Sequence, residues 1–338
     1  MRILIIGGGV FLGRALLDAA LRRGHQASVF NRGRSRQQWP AGVTVYTGDR
    51  RSESHLPAAD GPWDAVIDTC GYCPADVEPT AAALGDSTRY LFVSSISAFA
   101  SHAKPGLTEA DALADAVGIA PDAEITADNY GPLKAECERR LTKRLGERLL
   151  VVRPGLIVGP GDPTGRFSYW PWRTAAGGAM LVPAAPPSAR LQFIDVRDLS
   201  DWMLHLLEAG IGGCFNATGP AGSDAIGWPE LIAACQRGVR ALGRAAAEPV
   251  RVSEALLRQQ GVGAWRELPL WLPADDPALA GFMAVDVARA MAHGLRTRPL
   301  DATVQAVLAE QLPDASDPWR AGKLIAAREA ELIALALR

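Results

Sequence analysis

"RILIIGGGVFLGRALLDAALRRG", residues 2–24, decides the fold of this chain. Arg2 is followed by four apolar residues, Ile3 to Ile6, which read as a buried strand. Gly7, Gly9 and Gly13 then set a GxGxxxG spacing. The segment from Arg14 onward predicts a helix, with its arginines late and Gly24 at its end, as a helix C-terminus prefers. Glycines in such a turn let backbone amides approach a pyrophosphate, and the helix N-terminus adds partial positive charge. A glycine triplet alone is weak evidence, but here it sits between a strand and a helix, the context that dinucleotide binding requires. Gly7, Gly9, Val10, Phe11 and Leu12 are therefore the expected pyrophosphate cradle.

Working outward, short apolar runs alternate with amphipathic segments. "QASVF" (26–30), "VTVYTGD" (43–49), "DAVIDTC" (64–70), "RYLFVSS" (89–95) and "RLLVVRP" (148–154) predict five more strands. Continuous Val/Ile/Leu runs separated by helices point to a parallel sheet covered on both faces. The expected class is α/β, a doubly wound parallel Rossmann-type sheet, with ligands beyond the carboxyl ends of its strands. After residue 155 the texture changes. Pro, Gly and Trp cluster in "GPGDPTGRFSYWPWR" (159–173) and "VPAAPPSAR" (182–190). A strand-and-helix pattern resumes in "LQFIDVRDLSDWMLHLLEAG" (191–210), and "GCFNATGP" (213–220) reads as one more strand. The expectation is a dinucleotide-binding domain over 1–160 plus 191–220. A smaller, mostly helical C-terminal substrate lobe over 161–190 plus 221–338 would cover the cleft.

The end of strand two selects the cofactor. NAD sites usually carry an acid there to grip the ribose hydroxyls. Here the chain reads Phe30-Asn31-Arg32-Gly33-Arg34. Neutral Asn31 with Arg32 and Arg34 suits a 2′-phosphate, so NADP(H) is preferred over NAD(H). Asp49 is placed to accept from the adenine amine. Arg50, Thr69 and Pro154, at neighbouring strand ends, complete the expected cofactor lining.

"TADNYGPLKAEC" (126–137) sets Tyr130 and Lys134 on one helical face. A phenol, with a pKa of about 10, is a poor base at neutral pH. A nearby ammonium stabilises the phenolate, so the phenol can exchange the proton of a carbonyl/alcohol couple. "FVSSISAFA" (92–100) offers a hydroxyl at the end of strand five to polarise the substrate oxygen.

Together "GGGVFLG", "FVSSISAFA", "YGPLK", "RPGLIVGPGD" and "FIDVRDL" resemble, in this order, the extended branch of the short-chain dehydrogenase/reductase superfamily. Within it the chain looks like epimerase/dehydratase-type proteins with a GGxxFxG turn. The resemblance spans most of residues 1–220. It implies an NAD(P)-dependent enzyme with Ser95, Tyr130 and Lys134 as catalytic triad. Aligning "SSISAF" with the family's SSxxVY favours Ser95 over Ser94, with Ser97 as a competitor. The family usually has glycine at Val10, and its 4,6-dehydratases have Asp-Glu where Ile96-Ser97 stand, which argues against dehydration. An NADP(H)-dependent carbonyl/alcohol oxidoreductase is the leading expectation, on a small molecule, sugar-nucleotide-like substrates included. An epimerase with retained NAD(P) is the alternative, or a non-catalytic RNA- or dinucleotide-binding relative. A homodimer is compatible with the resemblance.

Composition excludes other classes. A net charge of −2 supplies no field toward nucleic acid or an anionic membrane. No apolar run reaches a membrane-spanning length of about 18 residues and no secretory pattern precedes the first strand, so a cytoplasmic protein is expected. The histidines, His25, His55, His102, His205 and His293, lack metal-ligand spacing, so no metal is expected. Cys70-Gly-Tyr-Cys73 is a CxxC without a second pair and reads as structural or coincidental. Arg166, Trp170, Arg173 and Arg190 are substrate candidates, since guanidinium forks clamp anions and tryptophan stacks on rings; packing is the competing reading for Trp170. The acidic insert "EADALADA" (109–116) is either a solvated loop or a lid.

Overall fold

The computed structural model describes residues 1–34, 38–52, 56–59, 61–220, 224–310 and 322–338. His55 lies outside the described residues. In chain order the elements begin β1 (Arg2–Ile6), α1 (Phe11–Arg22), β2 (Gln26–Asn31), β3 (Thr44–Thr47), β4 (Ala65–Asp68), α2 (Pro74–Ala83), β5 (Arg89–Val93), α3 (Tyr130–Leu145), β6 (Leu149–Pro154) and β7 (Leu156–Val158). They continue α4 (Tyr169–Ala175), β8 (Ala179–Pro183), β9 (Phe193–Asp195), α5 (Val196–Glu208), β10 (Gly213–Ala217), α6 (Trp228–Ala241), β11 (Glu248–Val252), α7 (Glu254–Gln259), α8 (Ala288–Ala292), α9 (Leu300–Leu308) and α10 (Ala326–Ala336).

Seven strands form one parallel sheet in the order β10-β6-β5-β4-β1-β2-β3. The order reverses between β1 and β4, which makes this the switch point of a doubly wound sheet. Its interior strands are apolar on both faces because helices cover both. Ile3, Leu4, Ile5, Val66, Ile67, Leu91 and Phe92 are fully inaccessible. Each such side chain contributes about 1.5–3 kcal/mol by leaving water. One core layer joins Leu4, Ile6, Val66, Tyr90 and Phe92 of the sheet to Cys137, Leu141 and Leu145 of α3. Along α1, buried Leu12, Leu16, Leu17, Ala19 and Ala20 form the inward stripe.

Register sets the functional edge. Ile6 pairs with Phe30 and with Asp68, Asp68 with Phe92, and Val93 with Val152. The residues that follow these strand ends, Gly7, Asn31, Thr69, Ser94 and Ser95, therefore emerge along the same border of the sheet.

The chain divides into two compact units. The first comprises Met1–Leu156, Val196–Thr218 and Val285–Arg296, and the second Ile157–Asp195, Gly219–Ala284 and Thr297–Arg338. Residues 191–195, grouped with the first domain on sequence, fall in the second unit, and 285–296 make the opposite move. The return of 285–296 is physical: Asn216 of β10 donates to the carbonyls of Leu107 and Asp286, at 3.1 and 3.2 Å, tying that segment to the sheet edge. The second unit adds a parallel pair, β8 with β11, that its proline-rich sequence does not predict. Its helices approach closely: a Cβ at Gly238 of α6 would stand 2.8 Å from Val304 Cγ1 of α9. Among the described residues no helix is long and apolar enough to cross a membrane.

Candidate functional site

At the glycine turn, Gly7 takes φ +98° and its amide donates to the Phe30 carbonyl at 2.9 Å. A Cβ on Gly7 would lie 2.5 Å from Thr69 Oγ1, and one on Gly13 would lie 2.8 Å from the Gly8 Cα. Neither position admits a side chain. Val10 is extended and half exposed at the start of α1, whose first turn has no side-chain cap. Phe11 is left-handed at φ +42°, a conformation that costs a bulky residue about 1–3 kcal/mol. The result is a helix N-terminus without a side-chain cap, beside buried Leu12.

At the end of β2, the Asn31 side chain is divided. Its Oδ1 accepts from the Gly33 amide at 2.7 Å, while Nδ2 is enclosed and has no partner among the described residues. Arg32 and Arg34 are exposed beside it. At the end of β3 the Asp49 carboxylate accepts from the Arg51 amide at 3.1 Å. Thr69 Oγ1 donates to the Ile6 carbonyl at 2.8 Å, and Pro154 is the buried last residue of β6. Arg50 needs correction as a cofactor side chain. It is 7% exposed, pairs with Asp68 at 2.5 Å and donates to the Cys70 carbonyl at 2.6 Å. Tyr90 adds a 2.6 Å hydrogen bond to the same Asp68 oxygen. The guanidinium is consumed inside the first unit, which leaves only the Arg50 backbone for a cofactor.

The serines after β5 separate by their bonds. Ser94 Oγ donates to Glu138 Oε1 at 2.5 Å, and Glu138 is held by Arg153 Nη2 at 2.6 Å in a buried pair. Ser95 Oγ accepts from the Ser97 amide at 3.0 Å, so its own proton is not committed there. The first turn of α3 lies against this loop: a Cβ at Gly131 would stand 2.1 Å from the Ser97 carbonyl oxygen. Glycine after Tyr130 is thus what lets this turn of α3 approach the Ser97 backbone.

Lys134, one turn along α3, is 2% exposed. Its ammonium donates to the carbonyls of Gly71 and Val93, both at 2.7 Å. It lies 4.8 Å from the ring centre of Phe92, 5.0 Å from Tyr72 and 5.9 Å from Tyr130. No carboxylate reaches it among the described residues. The rings of Tyr72 and Tyr130 are 6.4 Å apart. Tyr72 remains 43% exposed, and burial of its hydroxyl pushes its pKa up to about 12. Sequence reasoning missed Tyr72. It is positioned by its amide, which donates to Asp76 at 2.8 Å, and by Gly71, whose Cβ would lie 2.4 Å from Val77. The sole available signal was the glycine inside the CxxC. Both of its cysteines are free thiols, and Cys73 Sγ accepts from Arg51 at 2.9 Å.

The acidic insert is tethered to the first unit rather than free in solvent. Phe99 bridges Leu113, Ala100 donates to the Ala112 carbonyl at 2.9 Å, and Glu109 accepts from the Asn216 amide at 2.8 Å.

In the second unit, two substrate candidates are structural. Trp170 is fully buried between Tyr169 and Trp228 and donates to the Pro269 carbonyl at 3.2 Å. Arg173 is spent on Glu329 at 2.7 Å and on the carbonyls of Gly177 and Ala179. Arg190 is exposed and folds back on the carbonyls of Pro187 and Ala189. Arg166 stays half-buried over the Trp265 ring, 5.4 Å from its centre. Among the described residues no cluster of three or more His, Cys, Asp or Glu side chains is arranged to hold a metal ion.

No protein-family model matches the chain. Over 181 residues it is 31% identical to 2-alkyl-3-oxoalkanoate reductase of Stenotrophomonas maltophilia (strain K279a), a match covering 48% of this chain and 52% of that protein. The match thus spans about half the length of this curated relative. Among solved structures, the UDP-Glc/GlcNAc 4-epimerase of Campylobacter jejuni superposes with a TM-score of 0.63 at 14% identity, covering 90% of this chain and 97% of that one. The human epimerase family protein SDR39U1, solved with NADPH, gives 0.56 at 21% identity, covering 92% and 100%. At such identities the likeness establishes the fold, that of the NAD(P)-dependent epimerases and their reductase kin.

Proposed function

We propose that this chain, built on the extended short-chain dehydrogenase/reductase fold, is an NAD(P)-dependent oxidoreductase that interconverts a carbonyl and an alcohol, with preference for NADP(H). The observation that carries this is the placement of Lys134: a buried ammonium, held by two carbonyls and, among the described residues, met by no carboxylate, four residues from Tyr130. A cation balanced by neutral oxygens keeps its field for whatever develops negative charge nearby.

The residues present fit the cofactor. Glycines whose Cβ atoms would collide leave the amides at the start of α1 open to a diphosphate. The orphaned Asn31 Nδ2 supplies a buried donor where the ribose hydroxyl or its phosphate would sit, and Arg32 and Arg34 supply charge. The bound nicotinamide supplies the hydride. Ser95 would donate to the substrate oxygen, Tyr130 would deliver the proton to it, and Lys134 would stabilise negative charge on both oxygens during transfer. The Tyr72 ring would wall the same place.

The reductase reading is favoured by the half-length likeness to a 2-alkyl-3-oxoalkanoate reductase, which makes β-keto acids the first substrates to test. The test is NADPH consumption with a panel of such acids, alongside Tyr130→Phe. Turnover should fall by about a thousandfold in the variant, while NADPH still raises the melting temperature. Undiminished turnover in Tyr130→Phe overturns the mechanism. An epimerase is the second reading, favoured by the overall superposition on 4-epimerases. It predicts cofactor that stays bound through purification and no net consumption of NADPH.

A further inference from the structure

The loop after β4 runs from the glycine turn to the tyrosine–lysine pair, and its backbone is fixed along the way. At its start, a Cβ on Gly7 would lie 2.5 Å from Thr69 Oγ1 and 3.0 Å from Cys70 Sγ, so this end packs against the turn. The Gly71 carbonyl then accepts from Lys134 Nζ at 2.7 Å, and a Cβ at Gly71 would stand 2.4 Å from Val77 and 2.9 Å from Phe92. Beyond it, Asp76 accepts from the amides of Tyr72 and Cys73 at 2.8 and 3.2 Å, and is itself held by Arg51 at 2.7 Å. Two residues of chain reach at most about 7 Å, so Tyr72 stays that close to the cysteine that meets the turn.

The Tyr72 ring projects from this anchored loop. Its centre is 5.0 Å from Lys134 Nζ and 6.4 Å from the Tyr130 ring, to which it is inclined by 45°. Lys134 is buried, whereas Tyr72 keeps 43% of its surface open. A ring held by its backbone and open on its surface is a preformed stacking platform, and it loses little freedom when a flat partner covers it. A diphosphate at the start of α1 and a hydride carried to Tyr130 would set the two halves of one dinucleotide along this loop.

We propose that the Tyr72 ring packs on the nicotinamide–ribose half of the bound cofactor and so positions it at Tyr130 and Lys134. The proposal rests on the dinucleotide reading of the glycine turn. An aromatic face suits the flat nicotinamide ring, and suits its oxidised, cationic form best. The ring face does this work, so phenylalanine should replace Tyr72 and alanine should not.

The experiment measures binding to the full chain by isothermal titration calorimetry, without substrate. NADP⁺ is compared with 2′,5′-ADP, and NAD⁺ with ADP; each shorter nucleotide lacks the nicotinamide half. Tyr72→Ala should weaken the dinucleotide about tenfold and leave its shorter counterpart within about twofold. Tyr72→Phe should bind both as the wild type does. Far-UV circular dichroism verifies that the variants fold. If folded Tyr72→Ala keeps its dinucleotide affinity, or loses affinity for the shorter nucleotide equally, the proposal is overturned while the cofactor reading stands. Tyr72→Phe as weak as Tyr72→Ala overturns it too. If the wild type binds none of the four nucleotides, the cofactor reading falls and the proposal with it.

Discussion

Lys134 and Arg50 are both deeply buried cations beside the strand ends of the first unit, and they are satisfied in opposite ways. Arg50 has a carboxylate at 2.5 Å, a carbonyl at 2.6 Å and a tyrosine hydroxyl sharing its acid. Lys134 has two carbonyls and three aromatic rings. A paired cation has its field cancelled within a few ångströms, and its work is to fix β4 against the loop after β3. A cation held by dipoles and ring faces keeps a net charge, stabilised enough to remain buried and open to act on a neighbour. The contrast separates a structural ion from one available for chemistry.

Breaking the structural side should cost most. Asp68→Ala leaves the Arg50 charge buried and unanswered, and should lower unfolding free energy by about 3–5 kcal/mol in a urea titration. An unchanged midpoint would erase the distinction between the two cations. Next, Lys134→Met should lower kcat about a hundredfold, or about 2.7 kcal/mol in the barrier, with a far smaller stability loss than Asp68→Ala. A kcat that survives would place the lysine on the structural side. The cofactor edge sharpens the comparison at a lower level. Arg34→Ala should reduce the preference for NADPH over NADH about tenfold in KM ratio, roughly 1.4 kcal/mol. The smallest effect is a pH response at Cys70, which touches the Arg50 network. Burial, and then Asp68, push this thiol up from its usual 9.0 to about 11. The neutral thiol is the favoured form, so its contribution to stability is whole below pH 9 and lost as pH rises through about 11. Iodoacetamide should therefore label Cys70 slowly at pH 8, with the rate climbing toward pH 11. Rapid labelling at pH 8 would show that the network does not shield it.

Much of the fold was legible because strand-forming runs and glycine turns are local. All seven strands of the main sheet lie where apolar runs predicted them, within a residue or two at most ends. Proximity of Tyr130 to Lys134 was likewise legible, as a one-turn spacing on a helix. Arg50, Trp170 and Arg173 read as ligand-facing because a sequence displays donors and rings without their partners. Each turned out to be committed to a residue 18 to 156 positions away. The insert at 109–116 looked solvated because its acidity was visible and its bond to β10 was not. Tyr72 was hidden for the same reason.

Residue order alone determined the doubly wound sheet, the bare glycine cradle, the neutral and basic end of β2, and the tyrosine–lysine spacing. These depend on periodicity and on backbone freedom over a few neighbours. The tertiary structure decided which charges are spent and which are spare. Lys134 owes its position to carbonyls 63 and 41 residues away, and Arg166 lies on a ring almost a hundred positions along the chain. Electrostatic and hydrogen-bond energies depend on separation in space, and only folding turns sequence separation into distance.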